Sequence, residues 1–329
     1  MLAGVLIAIV VNFIWGLAFL LPYVLPSVDP ITITAGRYGS YGVLSIVLLL
    51  LNGGSTLRGF TRQDWLWVLA LAFAGNVGYY ALLVSAIQLG GVSIAAMIVG
   101  TLPVTMAIYG NWRAKELDLS RLLPALVFIL GGLFALNGYK FSTAPDISQR
   151  LLSGTGCAVL ALALWTWYGV QNARYLKRRP EISGAVWSGA IGVGTLVLML
   201  CFFPLLIALG MWSPSNAMAS LQSHGRVWDF IIASLLLGIV VSWLATLLWN
   251  IAARRLPVAL AAQLIVFETI SSVLYASIVD RTLPSLFELS CIAAILFGVL
   301  LGIRAALPKP QARPRDTASL ENNAYQNNG

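Results

Sequence analysis

Residues 256–279 read LPVALAAQLIVFETISSVLYASIV, a run with one acidic side chain, Glu268, about twelve residues from each end, and no basic one. An α-helix rises 1.5 Å per residue, so roughly 20 mostly apolar residues cross the hydrocarbon of a bilayer. The run therefore predicts a membrane-spanning helix. The same test predicts nine more, and the ten segments fall at roughly 2–25, 31–52, 65–89, 92–110, 122–139, 152–173, 184–210, 229–251, 256–279 and 284–304. The predicted fold class is all-α integral membrane, with ten transmembrane helices.

Composition points the same way. Of 329 residues, 59% are hydrophobic and only 10% charged, against roughly 25% charged in an ordinary soluble domain. The mean hydropathy is +0.86. So few polar side chains leave a soluble fold of this size uncovered, whereas a bilayer tolerates apolar surface. The net charge of +8 raises nucleic acid as a partner. That reading fails, because the Lys and Arg residues lie in short clusters between apolar runs. Loops on one side carry 15 of them and loops on the other carry 4, with Arg37 inside a span. The excess marks the cytoplasmic side and puts both termini there.

The first run, Leu2 to Leu25, has no basic leader and no small-residue cleavage motif, so it reads as a retained helix. Cys157, Cys201 and Cys291 all lie in apolar runs, and His224 is the single histidine. No metal site, cofactor or disulfide framework is expected. Residues 307–329 are rich in Pro, Arg, Asn and Gln and read as a disordered cytoplasmic tail.

The chain also resembles itself. A shift of 166 residues places Ala86 on Ala252, Val92 on Val258, Ala95 on Ala261, Ala96 on Ala262, Tyr109 on Tyr275, Ile129 on Ile295 and Gly132 on Gly298. A shift of 150 places Trp15 on Trp165. This divides the chain into two five-helix units, residues 1–150 and 151–306. Five is odd, so the units insert with opposite orientation. Inverted repeats give two conformations of similar energy, one open to each side, with binding sites near the midplane.

Several stretches carry a family resemblance: Trp15-Gly16, Ala86 to Pro103, Trp165, and the Ala252-Ala-Arg-Arg-Leu-Pro-Val-Ala-Leu-Ala-Ala run leading to Glu268. Over residues 1–306 the chain resembles the drug/metabolite transporter superfamily in its EamA-type, ten-helix branch. Glu268-Thr269-Ile270 stands where the second repeat often has Glu-Pro-Val, and Pro103 keeps the proline in the first. The family's Gly-Glu ending of helix four appears as Glu116 alone, and the second repeat has Asp280-Arg281-Thr282 there. The resemblance implies a mechanism more than a ligand; the family covers exporters of amino acids and other metabolites, among other solutes. It also implies a multi-pass protein of a bacterial-type plasma (inner) membrane.

Ionisable groups within hydrocarbon cost about 2.5–3.5 kcal/mol on insertion scales and tend to mark pathways. Two lie clearly inside. Arg37 is roughly 9 Å from the outer end of its helix and Glu268 roughly 15–17 Å from the outer end of its own. Glu268 reads as a proton-coupling carboxylate or a partner for a substrate ammonium; the plainer alternative is a structural carboxyl. Arg37 reads as a clamp for a substrate carboxylate; the plainer alternatives are snorkelling and a structural salt bridge. Asn12 shares a helix face with Trp15, Asn76 with Tyr80, and Gln263 with Phe267. These residues and Trp165 either line a cavity or serve interhelical packing. Gln88, Gln171 and Asn250 are further polar amides of the same kind. Pro103, in mid-span, is a candidate hinge or fixed bend. Gly184, Ser188 and Gly192, and Gly298 and Gly302, put small residues on one helix face. That suits packing within a monomer or contact between two copies.

The function read from the sequence is a secondary transporter that moves an amino acid or similar metabolite outward by alternating access. It is driven by protons or by the solute's own gradient. The alternatives are efflux of cationic or aromatic drugs and, from other classes, a lipid-acting membrane enzyme or a channel. The single loop histidine counts against the enzyme. The absence of a Gly-x-x-x-x-Gly-Lys-Ser/Thr loop counts against direct use of ATP.

Overall fold

The computed structural model describes residues 1–25, 28–51, 57, 59–90, 95, 98–114, 119–141, 149–279 and 281–306. The expected tail, Glu116 and Asp280 lie outside the described residues, and so does the side chain of Gln88.

The described chain is helical. In order it forms α1 (Leu2–Val24), α2 (Pro30–Leu51), α3 (Arg62–Ala72), α4 (Gly78–Gly90), α5 (Leu102–Ala114), α6 (Leu119–Phe141) and α7 (Gln149–Arg178). Then come α8 (Gly184–Ala208), α9 (Pro214–Ser223), α10 (Val227–Leu236), α11 (Ala245–Arg255), α12 (Val258–Leu264), α13 (Val266–Val279) and α14 (Leu286–Ala306). A π-helical stretch, Phe73–Val77, joins α3 to α4, and another, Leu237–Leu244, joins α10 to α11. Among the described residues seven helical stretches are long and apolar enough to cross a membrane, and Leu2–Ala18 and Ser120–Ala135 are shorter apolar pieces.

Two of the expected spans are not continuous helices. The expected helix over 256–279 breaks at Ile265, between α12 and α13. The expected helix over 92–110 breaks at Gly100–Thr101, ahead of α5. Pro103 is therefore not in mid-helix. It is the second residue of α5, where the backbone N–H it lacks has no intrahelical partner to lose. Thr101 instead opens the new turn, its carbonyl accepting from Val104 N–H at 3.0 Å and Thr105 N–H at 3.1 Å. A helix that the sequence did not signal, α9, follows a Ser213 cap and a proline at its first position.

Helix α2 shows how the bundle is sorted. It buries Tyr38, Tyr41 and Ser45 and exposes Val43, Ile46, Val47 and Leu50. Aromatic and polar groups face inward and aliphatic ones outward, as suits a surrounding of lipid rather than water. Most long contacts run between the two halves of the chain. α1 packs on α11 and α13, α2 on α8 and α10, α3 on α8, α4 on α7, α5 on α7 and α12, and α6 on α14. Gly298 receives the side chain of Ile129, and Gly132 that of Ile295; any Cβ at either glycine would overlap its neighbour. Gly192 is filled in the same way by Ser45 and Tyr41. These small faces are thus occupied within the chain.

Candidate functional site

Arg37 lies at the centre of the cluster, 9% exposed. Its Nε–H donates to Ser242 Oγ at 3.0 Å. Its guanidinium lies 5.1 Å from the centroid of the Tyr38 ring and 4.8 Å from that of Tyr80. Tyr38 and Tyr80 meet edge to face at 5.9 Å. A guanidinium stripped of water is stabilised by aromatic faces and one hydroxyl, an arrangement unlike snorkelling, in which the head group would reach water. The buried Tyr80 hydroxyl makes no hydrogen bond of good geometry.

Glu268 is half-buried in the first turn of α13, directly after the break. Its N–H donates to the Ile265 carbonyl at 2.9 Å, and its carbonyl accepts from Ser271 Oγ at 3.0 Å. A carboxylate there is favoured by the partial positive charge of a helix N-terminus. Among the described residues it forms no ion pair with Arg37. The two are close enough for the Arg37 charge to act on Glu268, and the Glu268 charge acts on Tyr79.

α1 braces this turn. Ser271 Oγ also donates to the Asn12 carbonyl at 3.2 Å, Tyr275 donates to the Phe13 carbonyl at 3.0 Å, and Phe13 and Phe267 rings lie 6.1 Å apart. Asn12 is buried; its Nδ2 donates to the Ala8 carbonyl at 2.7 Å, and its Oδ1 lacks a partner. Trp15 and Trp165 are buried together, edge to face at 5.7 Å. Trp249 joins them at 5.3 and 6.1 Å, and Tyr79 and Tyr168 pack on Trp165. The tryptophans are thus inside the bundle rather than facing lipid.

The two π stretches contribute directly. Extra residues in a helical turn release carbonyls from the α pattern, and such turns recur at functional sites. Within Leu237–Leu244, the Val241 carbonyl accepts from Trp15 Nε1 at 3.1 Å and Ser242 holds Arg37. Within Phe73–Val77, Asn76 Nδ2 donates to Thr195 Oγ1 at 2.8 Å.

Of the residues expected from sequence, Arg37, Tyr80 and Glu268 come together, and Asn12, Trp15 and Trp165 adjoin them. Asn76 is spent on an interhelical hydrogen bond to α8. Gln171 and Asn250 are spent likewise, on Tyr109 at 2.9 Å and on Ser188 at 3.0 Å. Gln263 is fully buried against Gly302 with neither amide atom partnered. Sequence reasoning missed Tyr38, Tyr79, Ser242 and Trp249. Tyr38 and Tyr79 carried a signal, being aromatic neighbours of Arg37 and Tyr80; Ser242 carried none.

A model of the EamA-like transporter family matches residues 2–138. The Inner membrane protein YtfF of Escherichia coli (strain K12) is 34% identical over 316 residues, which cover 94% of this chain and 98% of that protein. The chain belongs to the EamA-like transporter family. An uncharacterized inner membrane transporter, YhbE of Escherichia coli (strain K12), is 29% identical over 189 residues, 54% of this chain and 57% of its own. A solved crystal structure superposes with a TM-score of 0.71 at 20% identity, over 92% of this chain and 97% of that one; it speaks to the fold alone. As an EamA-like protein the chain is a membrane transporter. Its Arg37–Glu268 cluster lies where a broken span, a π stretch and the two halves meet.

Proposed function

We propose that the chain is a secondary transporter of an inner membrane, alternating between two inverted five-helix units, residues 1–150 and 151–306, with both termini cytoplasmic. Reciprocal packing supports the inverted repeat. Gly132 meets Ile295 while Gly298 meets Ile129, and both residue pairs are related by the shift of 166. The π stretch Phe73–Val77, shifted by 166, falls within Leu237–Leu244. Contacts α1–α11 and α4–α7 are the two members of one repeat-related set, while α2–α8, α5–α12 and α6–α14 are each their own mates. That is the pattern of a twofold axis. The names of the Escherichia coli relatives support the inner membrane.

The observation that carries the site is a dehydrated Arg37 and, within reach of its charge but not in contact with it, a half-buried Glu268 at a helix break. A small zwitterion such as an amino acid fits it: carboxylate toward the Arg37 fork, ammonium toward Glu268. Binding the ammonium and binding a proton then compete for one carboxylate, which couples solute to proton and favours export down a proton gradient. Asn12, Trp15, Tyr80 and Trp165 form the wall of this site, and Pro103, in the first turn after its break, marks the flexing point of α5. The Trp15–Trp165–Trp249 cluster favours one second reading, efflux of organic cations, since aromatic faces attract them.

Flux of a labelled amino-acid, metabolite and organic-cation panel in proteoliposomes with an imposed pH gradient tests both, comparing the intact protein with Glu268→Gln. A solute whose flux follows the gradient, and loses that dependence in the variant, fits the reading. Unchanged flux in Glu268→Gln removes Glu268 as the coupling group.

A further inference from the structure

At the end of the bundle that carries the basic loops, one carboxylate ties the two halves together. Asp64 is the third residue of α3 and closes a capping box: its carboxylate accepts from Thr61 N–H at 2.7 Å while its own N–H donates to Thr61 Oγ1 at 3.2 Å. A cap needs no more than that. Asp64 is nevertheless buried, its side chain 2% exposed, and takes two further donors from the other half of the chain. Arg179 Nη1 reaches it at 2.6 Å, and the Tyr175 hydroxyl also donates to it. Tyr175 stacks on Trp187 at 4.4 Å, and Arg179 is oriented by Glu181. One helical turn back, Arg174 donates to the Gly110 carbonyl at 3.0 Å, fixing the end of α7 to α5 as well.

The opposite end has a related helix start without this closure. α10 also carries an acid as its third residue, Asp229. Its side chain is 54% exposed, and its ion pair, at 3.2 Å, is with Arg226 just ahead of the same helix. One end of the bundle is thus fastened across the halves by a buried charge, whereas among the described residues the Asp229 carboxylate at the repeat-related start bonds only to Arg226, and the cross-half bond at that end, from Trp212 Nε1–H to Thr32 Oγ1 at 3.0 Å, is neutral.

We propose that Asp64, Tyr175 and Arg179 form a latch that holds the cytoplasmic end of the pathway shut and parts in each transport cycle. The inference rests on the alternating-access reading above. An ion pair between a buried carboxylate and a part-exposed guanidinium suits the task. Its attraction is largely offset by the water its charges gave up, so separating both partners into water is cheap. Removing one partner, by contrast, strands the other. The latch therefore resists local failure and yields to a concerted motion.

Hydrogen–deuterium exchange of the full chain in lipid nanodiscs tests it, following residues 61–66 at the cap, Tyr175–Ile182 at the latch and Trp212–Asp229 at the opposite end. Two variants are compared with the intact protein: Asp64→Asn, which keeps the cap's acceptor oxygen, and Tyr175→Phe, which leaves the cap untouched. Both are expected to speed exchange at the latch and slow it at the opposite end. Asp64→Asn should shift it by about tenfold, which corresponds to about 1.4 kcal/mol, and Tyr175→Phe by less. Faster exchange confined to residues 61–66 makes Asp64 a cap alone and overturns the latch. If the two ends respond oppositely to a pH change in the intact protein but not to either variant, the latch fails and alternating access stands. If they never respond oppositely, alternating access itself fails.

Discussion

Arg37 offers a test in which the conservative substitution should be the damaging one. Arg37→Lys keeps the charge in a 9% exposed position but loses the Nε–H donor to Ser242 and the flat face over Tyr38 and Tyr80. A hydrogen bond to a charged group contributes about 1.5–3 kcal/mol. Replacing a planar guanidinium by an ammonium over two rings forfeits about 0.5–1 kcal/mol more. The ammonium remains in a place that water does not reach, so the expected loss is about 2–4 kcal/mol. Arg37→Met forfeits the same contacts, but it also removes the cation and the cost of keeping it dry. Apolar replacements of buried charges are often neutral or stabilising, so Met should sit within about 1 kcal/mol of the intact protein. Thermal unfolding in nanodiscs, followed by tryptophan fluorescence, should rank the intact protein and Arg37→Met together and Arg37→Lys below. Both variants should lose solute flux, since neither offers a guanidinium fork. If Arg37→Lys unfolds with the intact protein, its ammonium reaches water and the dry aromatic clamp is the wrong description of this site.

Gln263 should behave in the opposite sense. Its buried, unpartnered amide carries a desolvation cost of about 1–3 kcal/mol, so Gln263→Met should raise the unfolding temperature; a fall would mean that the amide is paired. At the basic end, the hydrogen bond from Arg179 holds the Glu181 carboxyl below its usual value. The stabilisation this gives is present at neutral pH and is lost as pH falls through the lowered value. Melting curves of the intact protein and Glu181→Gln should therefore differ at pH 7 and converge toward pH 3, and a gap that persists at pH 3 would refute the pairing.

Hydropathy alone was enough to place the longest helices, because the hydrocarbon of a bilayer asks for a span of about 20 apolar residues. The expected segments 2–25 and 31–52 meet Leu2–Val24 and Pro30–Leu51 almost residue for residue. The interruptions were less legible, because proline signals both helix starts and kinks. Pro103 begins a helix, whereas Pro124 and Pro204 sit inside continuous ones. At Ile265 no residue type marks the break. Glu268 and Arg37 stood out because charge in an apolar run is costly. Their partners did not, since Ser242 becomes relevant only through the turn that presents it. Asp64 was hidden for a different reason: an acid in the first turn of a helix looks complete as a cap, and only the folded chain brings Tyr175 and Arg179 to it.

The two π stretches have a consequence for how this protein tolerates change in length. A π turn holds surplus chain while keeping the helix hydrogen-bonded. Deleting one residue within Leu237–Leu244 lets the turn relax toward an ordinary α-helix, so the span itself survives. At 3.6 residues per turn, a one-residue deletion in the uninterrupted α-helical part would swing everything beyond it by roughly 100° about the helix axis. Within the π stretch the relaxing turn absorbs the loss instead, and Trp249, six residues past Trp243, keeps its facing toward Trp15 and Trp165. The stretch acts as an angular offset written into the chain. Shortening the stretch by a single residue uses that offset up and leaves the tryptophans together; shortening the helix on either side of it turns them apart.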